Sequence, residues 1–277
     1  MITSNTEHFL LTRFNVRLAS NSPRPDDEWL ESRIDYFHRY CVASLQAQTC
    51  LAFTWLIFLD SDTPDWFRER LSELQRATGE LFEPVYVDGL FDGTVAGDAI
   101  RTRTTKSAIL STRIDNDDAV ARDFIEAIQG AAAGKFEFIN FIDGAQLAAS
   151  GVYARPYPSN PFISVFELVG ADVPRTVFMD EHPVLGRHGP IRDLRTGHPM
   201  WMQVVHGGNI ANEVVGFRVH AKKIRPWYDI EIPADRSPVG LLVSQVESAA
   251  RIGVRLIRKP SRMLALARSV GVKRGGS

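Results

Sequence analysis

The feature that most constrains this chain is an alternation. Over its first half, short apolar runs rich in β-formers take turns with stretches of helical period. Phe9-Leu10-Leu11-Thr12-Arg13-Phe14-Asn15-Val16 reads as a strand. After a polar, Pro-containing loop, Leu30, Ile34, Phe37, Cys41 and Leu45 recur at three- and four-residue steps and predict an amphipathic helix. Asp26 and Asp27 suit its N-terminal end, where the helix dipole favours acids. Residues 53–59 form a buried, parallel-type strand that ends at Asp60-Ser61-Asp62. Thr63-Pro64 then reads as an N-cap and first helical residue, opening a helix with Phe67, Leu71 and Leu74 on one face. Residues 84–87 are the third strand, 88–106 a polar loop and 108–114 the fourth strand. A helix over 119–133 follows, with Val120, Phe124 and Ile128 aligned. This order predicts an α/β fold, a mostly parallel sheet with flanking helices.

The second half changes character. Residues 136–142 and 145–153 read as strands about an Asp143-Gly144 hairpin, and 201–205 as a further strand ending at His206-Gly207-Gly208-Asn209. With no internal repeat, residues 1–233 are expected to form one domain and 234–277 a basic helical tail. In the tail, Leu242, Val246, Ala250, Val254 and Ile257 keep helical spacing among Arg251, Arg255, Arg258, Lys259, Arg262 and Arg268, and Pro260 should break it into two helices. The chain's net charge of −1 hides the asymmetry: from Arg251 onward there are eight Lys/Arg and no Asp/Glu. A basic amphipathic helix suits an anionic membrane surface; docking on the acidic body or on a partner helix is the other reading. The near-neutral total gives no pull toward nucleic acid, and none is expected as a partner. Two cysteines outside any CxxC pattern fit a reducing compartment. No apolar run is long enough for a signal peptide or a span, so the expected location is cytoplasmic, with the tail peripheral to the inner face of the membrane.

Chemistry concentrates at Asp115-Asn116-Asp117-Asp118, directly after the fourth strand. Ligands of open α/β sheets bind at the carboxyl ends of strands, and residues two apart there face the same way. Asp115 and Asp117 can therefore address one ligand together, and they repel unless a cation joins them. A hard divalent ion held by these carboxylates plus substrate phosphates is one reading, and a helix cap is the other. A calcium loop is excluded, because Ala119 replaces a ligand and Val120 stands where the sharp turn needs Gly.

The blocks Phe9-Leu10-Leu11-Thr12-Arg13-Phe14-Asn15, Ser44-Leu45-Gln46-Ala47-Gln48-Thr49, Phe53-Thr54-Trp55-Leu56, Thr112-Arg113-Ile114-Asp115-Asn116-Asp117-Asp118-Ala119 and Gln203-Val204-Val205-His206-Gly207-Gly208-Asn209 resemble the putative rhamnosyl transferase family, of the GT-A glycosyltransferase type. The resemblance runs from about Glu7 to Gly216 and implies a Rossmann-like, nucleotide-binding GT-A fold. It implies a sugar, rhamnose by the family's name, moved from a nucleoside-diphosphate donor to a hydroxyl of a glycan or glycolipid in cell-envelope glycan synthesis. It makes Asp115, Asp117 and Asp118 the ligands of Mn²⁺ or Mg²⁺, with His206 as a further ligand and Gly207-Gly208 allowing close approach to the phosphates. Asp60 falls where such folds contact the nucleotide base, Arg13 near base or diphosphate, and Arg113, rather than Arg101 or Arg103, on phosphate. An inverting enzyme needs a carboxylate base. Of Asp143, Glu167, Asp180 and Glu181, the expected one is Glu167, since its apolar run favours a raised pKa. Tyr153, Tyr157, Trp201 and Trp227 are candidate sugar platforms. Two other classes stay open: a metal-dependent hydrolase of nucleotides or phosphodiesters, which lacks a dense His/Asp cluster here, and a non-catalytic sugar-nucleotide or glycan-binding module.

Overall fold

Thr6–Arg13 (β1) lies at the heart of a seven-stranded sheet in the computed structural model, which describes residues 5–158, 160–206, 213–235 and 237–258, with side chains to residue 255. Then come α1 (Asp27–Tyr36), a π-helical segment (Phe37–Val42), α2 (Ala43–Gln46), β2 (Thr54–Asp60), α3 (Asp65–Ala77), β3 (Glu83–Val87), α4 (Gly93–Arg101) and β4 (Ala108–Arg113). The second half holds β5 (Ala119–Val120), α5 (Phe124–Ala131), β6 (Glu137–Phe141), β7 (Asp143–Ala148), β8 (Gly151–Pro156), β9 (Ser164–Leu168), β10 (Ile191–Leu194), β11 (Trp201–Val204), β12 (Phe217–Arg218) and α6 (Pro238–Arg258).

The main sheet runs β10-β6-β9-β4-β1-β2-β3. β4, β1, β2 and β3 are mutually parallel, and β9 is antiparallel to both β4 and β6. Alternation along these strands builds a core on each face. Leu10, Trp55, Ile57 and Leu59 pack under Leu30, Ile34, Phe37, Phe67 and Leu71 of α1, the π-helical segment and α3. Phe9, Leu11, Leu56 and Phe58 point the other way, onto Ala96, Ala99 and Ile100 of α4. Burying each such large side chain is worth about 1.5–3 kcal/mol. Helices on both faces of a largely parallel sheet are the architecture that the alternation predicts.

Four elements differ from the sequence reading. The 88–106 stretch contains a helix: Asp92 accepts from the N–H of Thr94 and Val95 and caps α4. Gly97 hides its amphipathicity and is needed there, since a Cβ would lie 2.1 Å from the Pro174 carbonyl oxygen. The helix expected over 119–133 starts only at Phe124, because Ala119 and Val120 are captured as an edge strand by Met202 and Trp201. The 27–46 helix passes through a π-helical segment rather than running uniformly. Finally, Asp143-Gly144 is no hairpin turn. Here the chain leaves the main sheet for a second one, ordered β12-β8-β7-β11-β5, and the hairpin closes between Ala148 and Gly151. Gly144 is required by packing: a Cβ would sit 2.1 Å from the Trp201 ring.

A polar chain crosses the core. His8 Nε2 meets Thr112 Oγ1 at 2.8 Å, and Thr112 meets Ser164 Oγ at 2.7 Å. Burial pushes the His8 pKa down from 6.5 to about 3. The folded state thus binds fewer protons than the unfolded chain below pH 6.5, so stability present above 6.5 is lost as pH falls toward 3. We expect His8 to account for about 2–3 kcal/mol of the loss between pH 6.5 and 4.5. Urea unfolding of wild type and His8→Gln at both pH values checks this; equal acid losses in the two proteins would contradict it.

The tail enters as α6, which docks on β12, with Ser248 Oγ accepting from the Arg218 N–H at 3.1 Å and Arg255 paired to Glu213. Its covered side carries buried Ser248 with half-buried Leu241, Gln245 and Ile252, whereas Val239, Leu242, Val243 and Val246 are exposed. Among the described residues, no helix is long and apolar enough to cross a membrane. Pro260, Lys259, Arg262 and Arg268, and the helix break expected there, lie outside the described residues.

Candidate active site

β1 and β4 are adjacent and parallel, so their carboxyl ends open on the same side. The chain leaving β4 is fastened there residue by residue. The Ile114 N–H reaches the Leu11 carbonyl and its own carbonyl accepts from Thr12 Oγ1. Arg113 forks onto Asp115, Nε to Oδ1 at 2.9 Å and Nη2 to Oδ2 at 3.0 Å. Asn116 donates to the Phe14 carbonyl at 3.1 Å and accepts from Arg33 at 3.2 Å. Asp117 takes Arg33 of α1 and, at 2.9 Å, His206 Nε2 on the same oxygen. Asp118 accepts from the Val204 N–H at 2.9 Å. Three consecutive side chains, Asn116 to Asp118, thus tie the end of β4 to the ends of β1 and β11 and to α1. His206 also stacks on Tyr36, centroids 3.9 Å apart, so the aspartates and His206 are neighbours.

The ends of these strands floor a cavity of about 510 Å³, a size typical of small-molecule sites. It is lined by Arg13, Arg33, Arg113, Arg155, the Asp115–Asp118 run and His182, with Trp29 and Tyr157 among its aromatic residues. Burial would raise the Asp115 carboxyl, but the Arg113 fork, with Arg13 behind it, holds it below its ordinary value. Burial, together with Asp117 and Asp115, pushes Asp118 well up. Burial and the neighbouring Arg113 pull Arg13 down. The Arg13 side chain has no hydrogen bond or ion pair among the described residues; the Phe178 ring lies 5.1 Å from it. Arg155 bonds to neutral Gln203 and stacks on Tyr157 at 4.5 Å.

Other expected site residues fall elsewhere. Glu167 does not line the cavity. It pairs in register with Ile109, four residues before Arg113, or about 13 Å away along β4. Its two oxygens accept the N–H groups of Arg175 and Thr176, and Thr176 is held at a positive φ of 59°. That geometry makes it the anchor of the 175–177 loop. Burial raises its pKa, against the pull of the Thr176 and Arg175 N–H groups, which favour the carboxylate. Asp60 is buried under Arg17, at 2.7 Å, and caps the Asp62 N–H; it organises the end of β2 outside the cavity lining. Arg101 and Arg103 pair with Asp98 and Glu83. Trp227 stacks on His198 away from the cavity, and Tyr153 lies under Arg218. Gly207, Gly208 and Asn209 lie outside the described residues.

Three cavity residues escaped the sequence reading: Arg33, Arg155 and His182. Arg33 reads as a polar position of α1, and only the fold shows it aimed at Asp117. His182 sits in a Pro-rich stretch with no periodic signal. Its Nδ1 is buried and unpartnered among the described residues, and burial with Arg113 lowers its pKa.

The donor set does not present a cation site. Both Asp115 oxygens are engaged by Arg113, Asp117 already holds Arg33 and His206, and no group of three or more His, Cys, Asp or Glu among the described residues is arranged to hold a metal.

Fold and cavity together define an α/β protein with a ligand-sized site at the carboxyl ends of β1 and β4. The model of the family described as putative rhamnosyl transferase matches residues 19–218, and the chain belongs to that family. The sequence matches no curated protein. Among solved structures, it is similar to S. aureus TarS 1–349 in complex with UDP, at 9% identity and TM-score 0.41, covering 72% of this chain and 60% of that one. HddC from Yersinia pseudotuberculosis complexed with GMP-PN matches at 9% identity and TM-score 0.35, over 69% and 90% of the two chains. The inositol-1-phosphate CTP transferase from T. maritima matches at 8% identity and TM-score 0.36, over 75% and 93%. This chain thus spans about three-fifths of the TarS fragment.

Proposed function

We propose that the chain transfers a sugar, rhamnose by its family, from a nucleoside-diphosphate donor to a hydroxyl of a glycan or glycolipid. The observation that carries this reading is Arg13 beside Arg113, at the carboxyl ends of β1 and β4 in a ligand-sized cavity. Guanidinium forks match phosphate oxygens, and they stabilise the charge that grows on the diphosphate as it leaves. In the transfer, the acceptor oxygen bonds to the anomeric carbon while the bond from that carbon to the diphosphate oxygen breaks. The electron pair leaves on the diphosphate. The acceptor proton needs a base, and His182, a lowered-pKa imidazole, is the candidate that lines the cavity, which Glu167 does not. Trp29 and Tyr157 offer faces for sugar rings.

Incubating the protein with a panel of nucleoside-diphosphate sugars, and following release of the nucleoside diphosphate by mass spectrometry, tests the reading. Turnover of one donor supports it; no turnover of any donor, with candidate acceptors present, counts against it.

The exposed apolar stripe of α6 favours contact with a membrane surface, where a glycolipid acceptor would lie. The protein is expected to co-sediment with vesicles containing phosphatidylglycerol, and the Leu242→Ser/Val246→Ser double variant to bind them at least about fivefold more weakly. Vesicle binding that is absent, or indifferent to this variant, would overturn the contact.

A further inference from the structure

The cavity holds four arginines, Arg13, Arg33, Arg113 and Arg155, against three carboxylates, and their pairing is uneven. Asp115 spends both oxygens on Arg113, and Asp117 holds Arg33 together with His206. Arg13 and Arg155 have no carboxylate partner among the described residues. A guanidinium withdrawn from water without a counter-ion is costly. The cavity lining therefore keeps two cations with no carboxylate in ion-pair contact beside a third, Arg113, whose fork is locked in direction by Asp115. Such a set suits an anion of more than one charge. A divalent cation placed among the same carboxylates would first have to displace Arg113 from Asp115 or Arg33 from Asp117, and would add positive charge beside Arg13.

We propose that Arg13, Arg113 and Arg155 neutralise the donor's diphosphate directly, with Asp115 and Gln203 as positioning residues, so that the donor binds without a divalent cation. This rests on the cavity being a nucleoside-diphosphate sugar site. The aspartate run, on this view, is the frame that orients the arginines. The burial of its members fits the division of labour: Asp115, with a side chain 31% exposed, aims Arg113, while Asp117, at 9%, clamps α1.

Calorimetric titration of the full chain with UDP, GDP and dTDP, in EDTA and then in Mn²⁺, tests the assignment. We expect at least one nucleotide to bind in EDTA, with Mn²⁺ changing its Kd by less than about threefold. Arg13→Met should weaken that binding at least about tenfold with little change in thermal stability, because the Arg13 side chain has no hydrogen bond or ion pair among the described residues to lose, and Arg13→Lys should restore part of it. Binding that requires Mn²⁺, or chelator-resistant binding indifferent to Arg13→Met, overturns the proposal while leaving the donor site standing. No nucleotide bound under either condition by a protein shown to be folded overturns the donor-site reading itself.

Discussion

Arg113→Met is expected to lower kcat/KM for sugar transfer by about a hundred- to a thousandfold, the usual effect of removing one preorganised charge donor from a transition state. The protein should stay folded. Asp115 loses its fork but keeps Arg13 nearby and partial access to water. Arg113→Lys should recover only part of the rate, because an ammonium cannot reproduce the two parallel bonds to a carboxylate or phosphate. Initial rates on the donor identified by turnover, paired with thermal unfolding of each variant, decide the matter. A folded Arg113→Met protein within about threefold of wild type would remove Arg113 from the chemistry.

Asp117→Ala should act on the fold instead. Its carboxylate is the shared acceptor for Arg33 and His206, on α1 and at the end of β11, and both members of the Arg33–Asp117 pair are buried. Removing one partner strands the other charge and costs about 3–5 kcal/mol. At about 2–4 °C per kcal/mol for a domain near this size, the unfolding midpoint should fall by roughly 10 °C. Arg33 would keep Asn116 and the Trp29 ring, 4.7 Å away, which are too weak to replace a carboxylate. Arg33→Met/Asp117→Ala should cost clearly less than the sum of the single variants, since no unpaired charge then remains. Additive losses would show that the two side chains do not act as a pair. Loss of activity in Asp117→Ala is therefore no evidence of a metal, whereas Asp115 is the informative aspartate.

What the sequence disclosed followed the physics of each signal. Leu30, Ile34, Phe37, Cys41 and Leu45 are all buried, and the strand through Trp55 to Leu59 is internal, because apolar period reports burial directly. Strand ends place ligands, so the approach to Asp115 and the presence of Arg13 and Arg113 at one cavity were also readable. Partnership was not. Nothing local in Arg33 distinguishes it from a solvated arginine, and only tertiary folding carries it 84 positions along the chain to Asp117. Glu167 shows the limit of a burial signal. An acid in an apolar run is desolvated, but desolvation follows equally from pinning a loop and from catalysis. The second sheet was hidden because Asp143-Gly144 carries turn chemistry, while the requirement there is space for the Trp201 ring.

The most direct test is a crystal structure with the nucleoside diphosphate that binds best. The account predicts diphosphate oxygens within hydrogen-bonding distance of both Arg13 and Arg113, above the ends of β1 and β4. A nucleotide bound outside this cavity, or in it with its diphosphate turned away from both arginines, would contradict it.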